Sequence, residues 1–181
     1  MSDIPEVKPG SWGIDAATAR LTFRLSHLTL RTVSGRFNAF AGEIIVEPDL
    51  LRSAAGATIE MASIDTGDPE RDAFLRSPAF FDVESFPEMR YRAEKVRSAA
   101  RGLMADGALT VRQNIGALRL DVRWLEPEEV PGGGTRLFVS AMGRIDRHEV
   151  GVAIGSRLMD SRAVLGRTVR VSLTGHAVLR D

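Results

Sequence analysis

The feature that most constrains the fold is a period-two alternation of apolar and polar residues. In residues 21–25 the apolar Leu21, Phe23 and Leu25 are separated by polar side chains. A strand points successive side chains to opposite faces, so this pattern predicts strands with one covered face. Further strands are predicted near residues 36–47, 57–64, 89–94, 103–112, 118–124, 135–145 and 169–179. About eight such strands predict an all-β fold, a small closed antiparallel barrel.

The domain organisation follows from length and from the positions of the breakers. A chain of 181 residues lies within the usual range for one domain, and no second boundary is visible. Residues 1–10 are polar and contain Pro5, Pro9 and Gly10, which predicts a flexible N-terminal segment. Residues 11–181 are predicted to form the single barrel domain, with a mobile loop at residues 131–134.

Charge and composition exclude several classes of function. Cysteine is absent, which rules out disulfides, thiolate metal sites and catalytic thiols. Basic and acidic residues number 24 each, so no global field would attract nucleic acid or an anionic membrane. The N-terminus carries no signal-peptide pattern, and no stretch approaches the length of a membrane span. We therefore expect a soluble, cytoplasmic protein with no integral membrane segment and no nucleic-acid partner.

One segment interrupts the strand pattern with the features of a helix start. Asp68 is a favourable N-cap, Pro69 suits the first helical position, and Glu70 and Asp72 complement the positive end of the helix dipole. Four of the eight phenylalanines follow within residues 74–86. The pattern predicts a short helical lid near residues 68–81 that covers one end of the barrel.

The sequence gives little support for a catalytic triad, a metal site or a nucleotide-binding motif. The three histidines, His27, His148 and His176, lie among polar or charged neighbours, which favours surface positions over a catalytic triad. The acids of residues 65–72 lack the spacing of a calcium loop, and capping and ion pairing explain them more simply. No glycine-rich phosphate loop, dinucleotide motif or zinc-helix motif occurs. We therefore predict no catalytic residue, no metal site and no resident cofactor.

The apolar face of the strands remains as the candidate site. Its representative members are Phe23, Phe37, Phe40, Met61, Met89, Tyr91, Trp124 and Val171. In an eight-stranded barrel such side chains either fill the interior or line a cavity for one ligand. The residues themselves leave these two alternatives open.

Several motifs resemble those of a known family. They are Trp12-Gly13-Ile14-Asp15, the run from Gly35 to Gly42, the stretch from Ser63 to Pro87, and Gly107-Ala108-Leu109-Thr110-Val111. Over about residues 12–179 the chain resembles the YceI-like family of lipocalin-like, polyisoprenoid-binding β-barrel proteins. It departs from the family pattern at Ala17-Thr18, at Gln113-Asn114 and in the late motif Arg147-His148-Glu149-Val150-Gly151.

The resemblance implies a carrier that transports or sequesters a long isoprenoid or quinone inside the barrel, and not an enzyme. It adds the lid residues Phe74, Leu75, Phe80 and Phe81 to the expected ligand contacts. Arg71, Asp72 and Tyr91 are head-group candidates, although Arg71 and Asp72 are better explained as pinning the helix to the barrel rim. Two alternatives remain: an enzyme that uses His148, Asp146 and Glu149 on a small apolar substrate, and a structural module with a packed interior. A homodimer is plausible.

Overall fold

The computed structural model describes residues 5–27, 32–131, 133–152 and 165–180, which form a closed eight-stranded antiparallel barrel with one short helix. The strands are β1 (Gly10–Ile14), β2 (Arg20–His27), β3 (Thr32–Phe37), β4 (Phe40–Val46), β5 (Ala54–Glu60), β6 (Ile64–Asp65), β7 (Glu88–Ala99), β8 (Gly102–Val111), β9 (Asn114–Trp124), β10 (Glu128–Glu129), β11 (Thr135–Asp146) and β12 (Leu165–Arg180). The helix α1 spans Pro69–Arg76.

The barrel closes through the last strand. The ring runs β1, β4, β5, β7, β8, β9, β11, β12 and back to β1, and every pair is antiparallel. One edge of β12 pairs with β11, and the other pairs with β1 and then with β2, where Val171 lies opposite Phe23. Closure leaves no free edge in the ring, as predicted from the alternation.

Three of the predicted strands differ in the structure, and one of them is the strand at 57–64, which the turn Met61–Ser63 interrupts. The first strand is predicted at residues 21–25, but a strand already occupies Gly10–Ile14 and contains the Trp12-Gly13-Ile14 motif, where Trp12 pairs with Leu179 and Ile44. The predicted strand at 36–47 is divided at Asn38 and Ala39, and the Asn38 amide donates to the Ser63 carbonyl. These differences arise because pairing with distant strands, which local alternation does not reveal, determines where a strand begins and ends.

Residues 5–9 contact the end of the barrel that lies away from α1. The indole of Trp124 donates to the Pro5 carbonyl at 2.9 Å, and that of Trp12 donates to the Lys8 carbonyl at 3.0 Å. Val7 packs against the apolar cluster around Trp12. Residues 1–4 and Gly132 of the predicted loop lie outside the described residues, and the flexibility of residues 1–10 stays a prediction.

The helix begins where the sequence predicts. The Asp68 carboxylate accepts hydrogen bonds from the Glu70 and Arg71 amides, and Pro69 occupies the first turn. The helix ends at Arg76, and turns carry the remainder of the lid, including Phe80 and Phe81. Within the described ranges no helix has the length and apolar character needed to cross a membrane.

Candidate functional site

Two apolar cavities lie inside the barrel. The inner cavity has a volume of about 180 Å³ and extends towards Ile14 and Val139, and the lid cavity has about 150 Å³ and extends beneath α1. The residues that line both are Phe23, Phe37, Met89, Leu109 and Val171. These five residues, the middle layer, separate the two spaces. The interior is therefore partly open.

Small side chains account for the inner cavity. The alanines that line it are Ala54, Ala55 and Ala57 of β5, Ala93 of β7, Ala105 of β8 and Ala141 of β11. Protein interiors are normally packed to the density of organic crystals, so space persists only where neighbouring side chains are too small or too rigid to fill it. Six alanines on four strands of one barrel leave such a space.

Two arginine side chains line the lid cavity, although its wall, like that of the inner cavity, is almost purely apolar. Arg147 lines it with 8% of its surface exposed, and its Nε and Nη1 donate to the carbonyls of Gly166 and Val152 at 3.0 and 2.9 Å. Arg71 also lines this cavity, where it donates to the hydroxyl and carbonyl oxygens of Thr66. Among the described residues no carboxylate lies within ion-pair distance of Arg147, and the dipoles of the two carbonyls offset part of its charge.

Tyr91 contributes its ring to the inner cavity, but its hydroxyl is already used. The hydroxyl donates to the Ala105 carbonyl at 3.3 Å and lies over Gly107, where an added Cβ would come within 2.6 Å of it. Burial raises the pKa of Tyr91 to about 12, with smaller contributions from Asp106 and Glu94. The inner cavity therefore offers a ligand an almost purely apolar wall.

The lid is held to the barrel by a buried polar network. The Asp72 carboxylate accepts from the Thr66 amide at 3.0 Å and from the Thr66 hydroxyl at 2.5 Å. Arg76 donates to the carbonyls of Ala62 and Ile64 at 2.8 and 2.6 Å. Asp72 lines neither cavity, so this head-group candidate instead pins the helix to the strand that precedes it.

Nine of the twelve predicted ligand contacts line at least one cavity. They are Phe23, Phe37, Phe40, Leu75, Phe80, Phe81, Met89, Tyr91 and Val171. Met61, Phe74 and Trp124 do not. Met61 is buried in the short turn after β5, Phe74 packs against Phe80, and Trp124 belongs to the cluster at the opposite end of the barrel.

The residues of the alternative enzyme site lie outside both cavities. His148 and Glu149 are exposed in the turn after β11. The His148 amide, with help from the Arg167 guanidinium, keeps the pKa of Asp146 below its usual value. A carboxylate held ionised in this way is a poor general acid. The described part of the chain also contains no cluster of three or more acids and histidines that could hold a metal ion.

Sequence reasoning missed Arg147 as a site residue. It lies in the late motif that departs from the family pattern. An arginine directly after a long alternating strand, at the lid end of a barrel, was the available signal.

Comparisons with known proteins agree with this architecture. Residues 12–177 match the YceI-like domain. A UPF0312 protein of Serratia proteamaculans is 30% identical over 135 residues, covering 74% of this chain and 70% of that protein. A UPF0312 protein of Vibrio cholerae is 25% identical over 140 residues, covering 76% of this chain and 74% of that protein.

Solved structures with the same fold include two proteins of low sequence identity. BcnA of Burkholderia cenocepacia superposes with a TM-score of 0.75 at 18% identity, over 92% of this chain and 99% of that one. A polyisoprenoid binding domain from Saccharophagus degradans, implicated in plant cell wall breakdown, gives a TM-score of 0.64 at 18% identity. The superposition covers 96% of this chain and 100% of that domain. At such identities the similarity establishes the fold alone.

Proposed function

The chain belongs to the YceI-like family, and from this premise we propose that its barrel binds a long apolar lipid of the isoprenoid or quinone type. Its role is then to carry or sequester that lipid. The observation that carries the proposal is the pair of adjoining apolar cavities inside the barrel. The Saccharophagus degradans neighbour, described as a polyisoprenoid binding domain, supports the choice of ligand class.

Apolar burial provides the affinity for the tail. Each Å² of apolar surface removed from water contributes about 25 cal/mol, so a long hydrocarbon chain needs no hydrogen bonds to bind. Each cavity alone is smaller than the roughly 300–1,000 Å³ of typical ligand pockets, so the ligand occupies both. The middle layer must then rearrange, and Met89, with three rotatable side-chain bonds, is the residue best able to move.

The polar end of the ligand faces the lid. In the inner cavity the Tyr91 hydroxyl is committed to the Ala105 carbonyl. Arg71 and Arg147 line the lid cavity, and a rotation of either side chain would turn its guanidinium group, now bonded to protein oxygens, towards a ligand there. A quinone oxygen or an acidic head group placed there gains a charge-assisted hydrogen bond. This orientation leaves the tail in the alanine-lined inner cavity.

The open interior favours a carrier over a module with a packed core. The exposed positions of His148 and Glu149 give no support to the enzyme alternative. Absence of catalysis, a cytoplasmic location and a homodimer stay predictions.

Ligand retention after cavity filling tests the proposal. Ala141→Phe introduces a ring into the inner cavity, and Ala117→Phe introduces the same ring on the exposed face of β9. Purified proteins are extracted with organic solvent and the extracts analysed by mass spectrometry. We expect an apolar molecule from the wild type and from Ala117→Phe, and at least about tenfold less from Ala141→Phe, because the ring occupies the tail site.

The stability of Ala141→Phe is measured alongside. Filling an existing cavity should change the free energy of unfolding by less than about 1.5 kcal/mol, well below the loss that would unfold the barrel. Equal amounts of extracted molecule from the two folded variants would place the ligand outside the cavity and contradict the proposal.

A further inference from the structure

The register of the barrel aligns four arginines on its outer face. Arg24 of β2 lies opposite Arg170 of β12, Arg170 lies opposite Arg144 of β11, and Arg144 lies opposite Arg119 of β9. All four are exposed. Neighbouring strands lie about 4.8 Å apart, so this basic row is about 14 Å long.

Such a row is unfavourable for the isolated protein. Like charges directly opposite one another across a sheet destabilise it. Elsewhere on this face arginines have acidic partners, for example Arg36 with Asp65 and Arg123 with Asp121. Within the basic row only Arg119 is paired, with Asp106, when the described residues are considered. The chain has a formal net charge of zero, so this is a local concentration of positive charge.

A polar groove extends the basic row towards β3. Its volume is about 650 Å³, and its lining includes Arg24, Arg170 and Arg36. Asp65 also lines it and is paired with Arg36, so Arg24 and Arg170 carry its uncompensated charge. The surface is therefore too wide for a single small anion. It is suited to several phosphate groups at once.

Exposed apolar side chains lie on the same outer face. Met142, two residues before Arg144 on β11, is 46% exposed. Further along, Phe138 is 37% and Leu125 is 63% exposed, and the Leu125 amide donates to the Phe138 carbonyl. Basic and apolar side chains on one face are typical of proteins that bind at a lipid–water interface. A single-stranded nucleic acid would instead favour aromatic residues between the arginines of the row, which this row lacks.

We propose that the face formed by the basic row and Met142 docks on an anionic lipid surface. The guanidinium groups contact lipid phosphates, and Met142 enters the boundary between head groups and acyl chains. The docking goes beyond the proposed carrier function, because it does not depend on which molecule the barrel holds.

Sedimentation with lipid vesicles tests the docking. The full chain is mixed with vesicles of phosphatidylcholine, or of equal parts phosphatidylcholine and phosphatidylglycerol. Each basic residue near an anionic surface contributes about 1 kcal/mol, or about a fivefold change in partitioning. We expect the triple variant Arg24→Gln, Arg144→Gln, Arg170→Gln to bind the anionic vesicles more than tenfold less than the wild type.

A second triple variant is the matched control. Arg52→Gln, Arg92→Gln and Arg101→Gln change the net charge equally at exposed positions away from the basic row. This control should retain most of the binding, since its arginines face other directions. The basic-row variant should unfold at the same temperature as the wild type or higher, because repulsion is removed. Met142→Gln should bind the anionic vesicles less than the wild type does. The difference should be larger at high salt, where electrostatic attraction is screened and apolar contact contributes more of the binding.

Three outcomes would overturn the proposal. One is equal binding of the wild type to neutral and anionic vesicles, and another is equal loss in the two triple variants. The third concerns a parallel measurement of binding to a single-stranded oligonucleotide. It is a basic-row variant that binds the oligonucleotide less than the wild type does but binds vesicles equally well. Organic-solvent extraction of the basic-row variant distinguishes failure of the docking proposal from failure of the carrier proposal. The barrel of this variant should still retain its ligand.

Discussion

The two ends of the barrel are closed by different chemistry. At the lid end, α1 and the turns after it are tied by charged side chains: Asp72 to Thr66, and Arg76 to the carbonyls of Ala62 and Ile64. At the opposite end, the tryptophan end, Trp12 is 1% exposed and Trp124 anchors the chain near Pro5. The lid end joins polar groups to a cavity, whereas the tryptophan end is mainly apolar packing.

This difference assigns separate roles to the two ends. A closure made of side chain to backbone hydrogen bonds can open locally, because water replaces those bonds when the lid lifts. At the tryptophan end the indoles of Trp12 and Trp124 also donate to carbonyls, but opening this end would in addition expose the large apolar ring of Trp12, which hydrogen bonds to water do not compensate. We therefore expect the lipid to enter beneath α1 and the tryptophan end to remain closed.

Removing the tryptophan ring should have the largest effect. Trp12→Ala deletes a fully buried indole and should lower the free energy of unfolding by about 4 kcal/mol, measured by urea denaturation. Trp12→Phe keeps part of the packing and serves as the control, with a smaller loss. If Trp12→Ala costs less than about 1 kcal/mol, the tryptophan end is not the rigid end.

Removing the lid carboxylate should have a local effect of about 3 kcal/mol. Asp72→Ala leaves the Thr66 amide and hydroxyl without their acceptor. Amide hydrogen exchange should become faster in residues 66–82 while β8 and β9 stay protected. Glu70→Ala, which removes an exposed acid from the same helix, should change little. Equal acceleration throughout the barrel would mean that the lid does not open as a separate unit.

The space between the two ends can be probed through Tyr91, the only tyrosine in the chain. An ordinary tyrosine has a pKa of 10.0, and burial raises that of Tyr91 to about 12. The stability that comes from the neutral phenol is present below pH 10 and is lost as the pH rises towards 12, by about 2 kcal/mol. Tyr91→Phe should lack this decline.

Ultraviolet absorbance of the phenolate measures the same group directly. The folded wild type should titrate well above the value of a free tyrosine, and urea should return the transition to about pH 10. Titration near pH 10 in the folded protein would mean that the inner cavity is open to water at Tyr91.

Local sequence patterns predicted the barrel and the lid because both depend on neighbouring residues. Alternation identifies the inward face of a strand, and Asp68 with Pro69 marks the start of a helix. The same alternation does not show how far along the barrel axis an inward-facing residue lies. Trp124 faces inward as expected, yet it lies at the tryptophan end and away from the cavities.

The cavities themselves were beyond sequence reasoning. Whether a barrel interior is filled depends on the combined volume of side chains from all eight strands at one height, which only the register defines. Met61 illustrates a further limit, since the turn at residues 61–63 removes it from the alternation of β5. The arginines of the basic row are likewise spread over some 150 positions of the chain and become neighbours only through pairing.

A crystal structure of the protein after incubation with a long-chain polyprenyl or quinone lipid tests the central claim most directly. The account predicts continuous ligand density through both cavities, with Met89 displaced, the polar end near Arg71 and Arg147, and the tail beside Ala141. Density confined to the outer surface, or both cavities closed by the protein's own side chains, would contradict it.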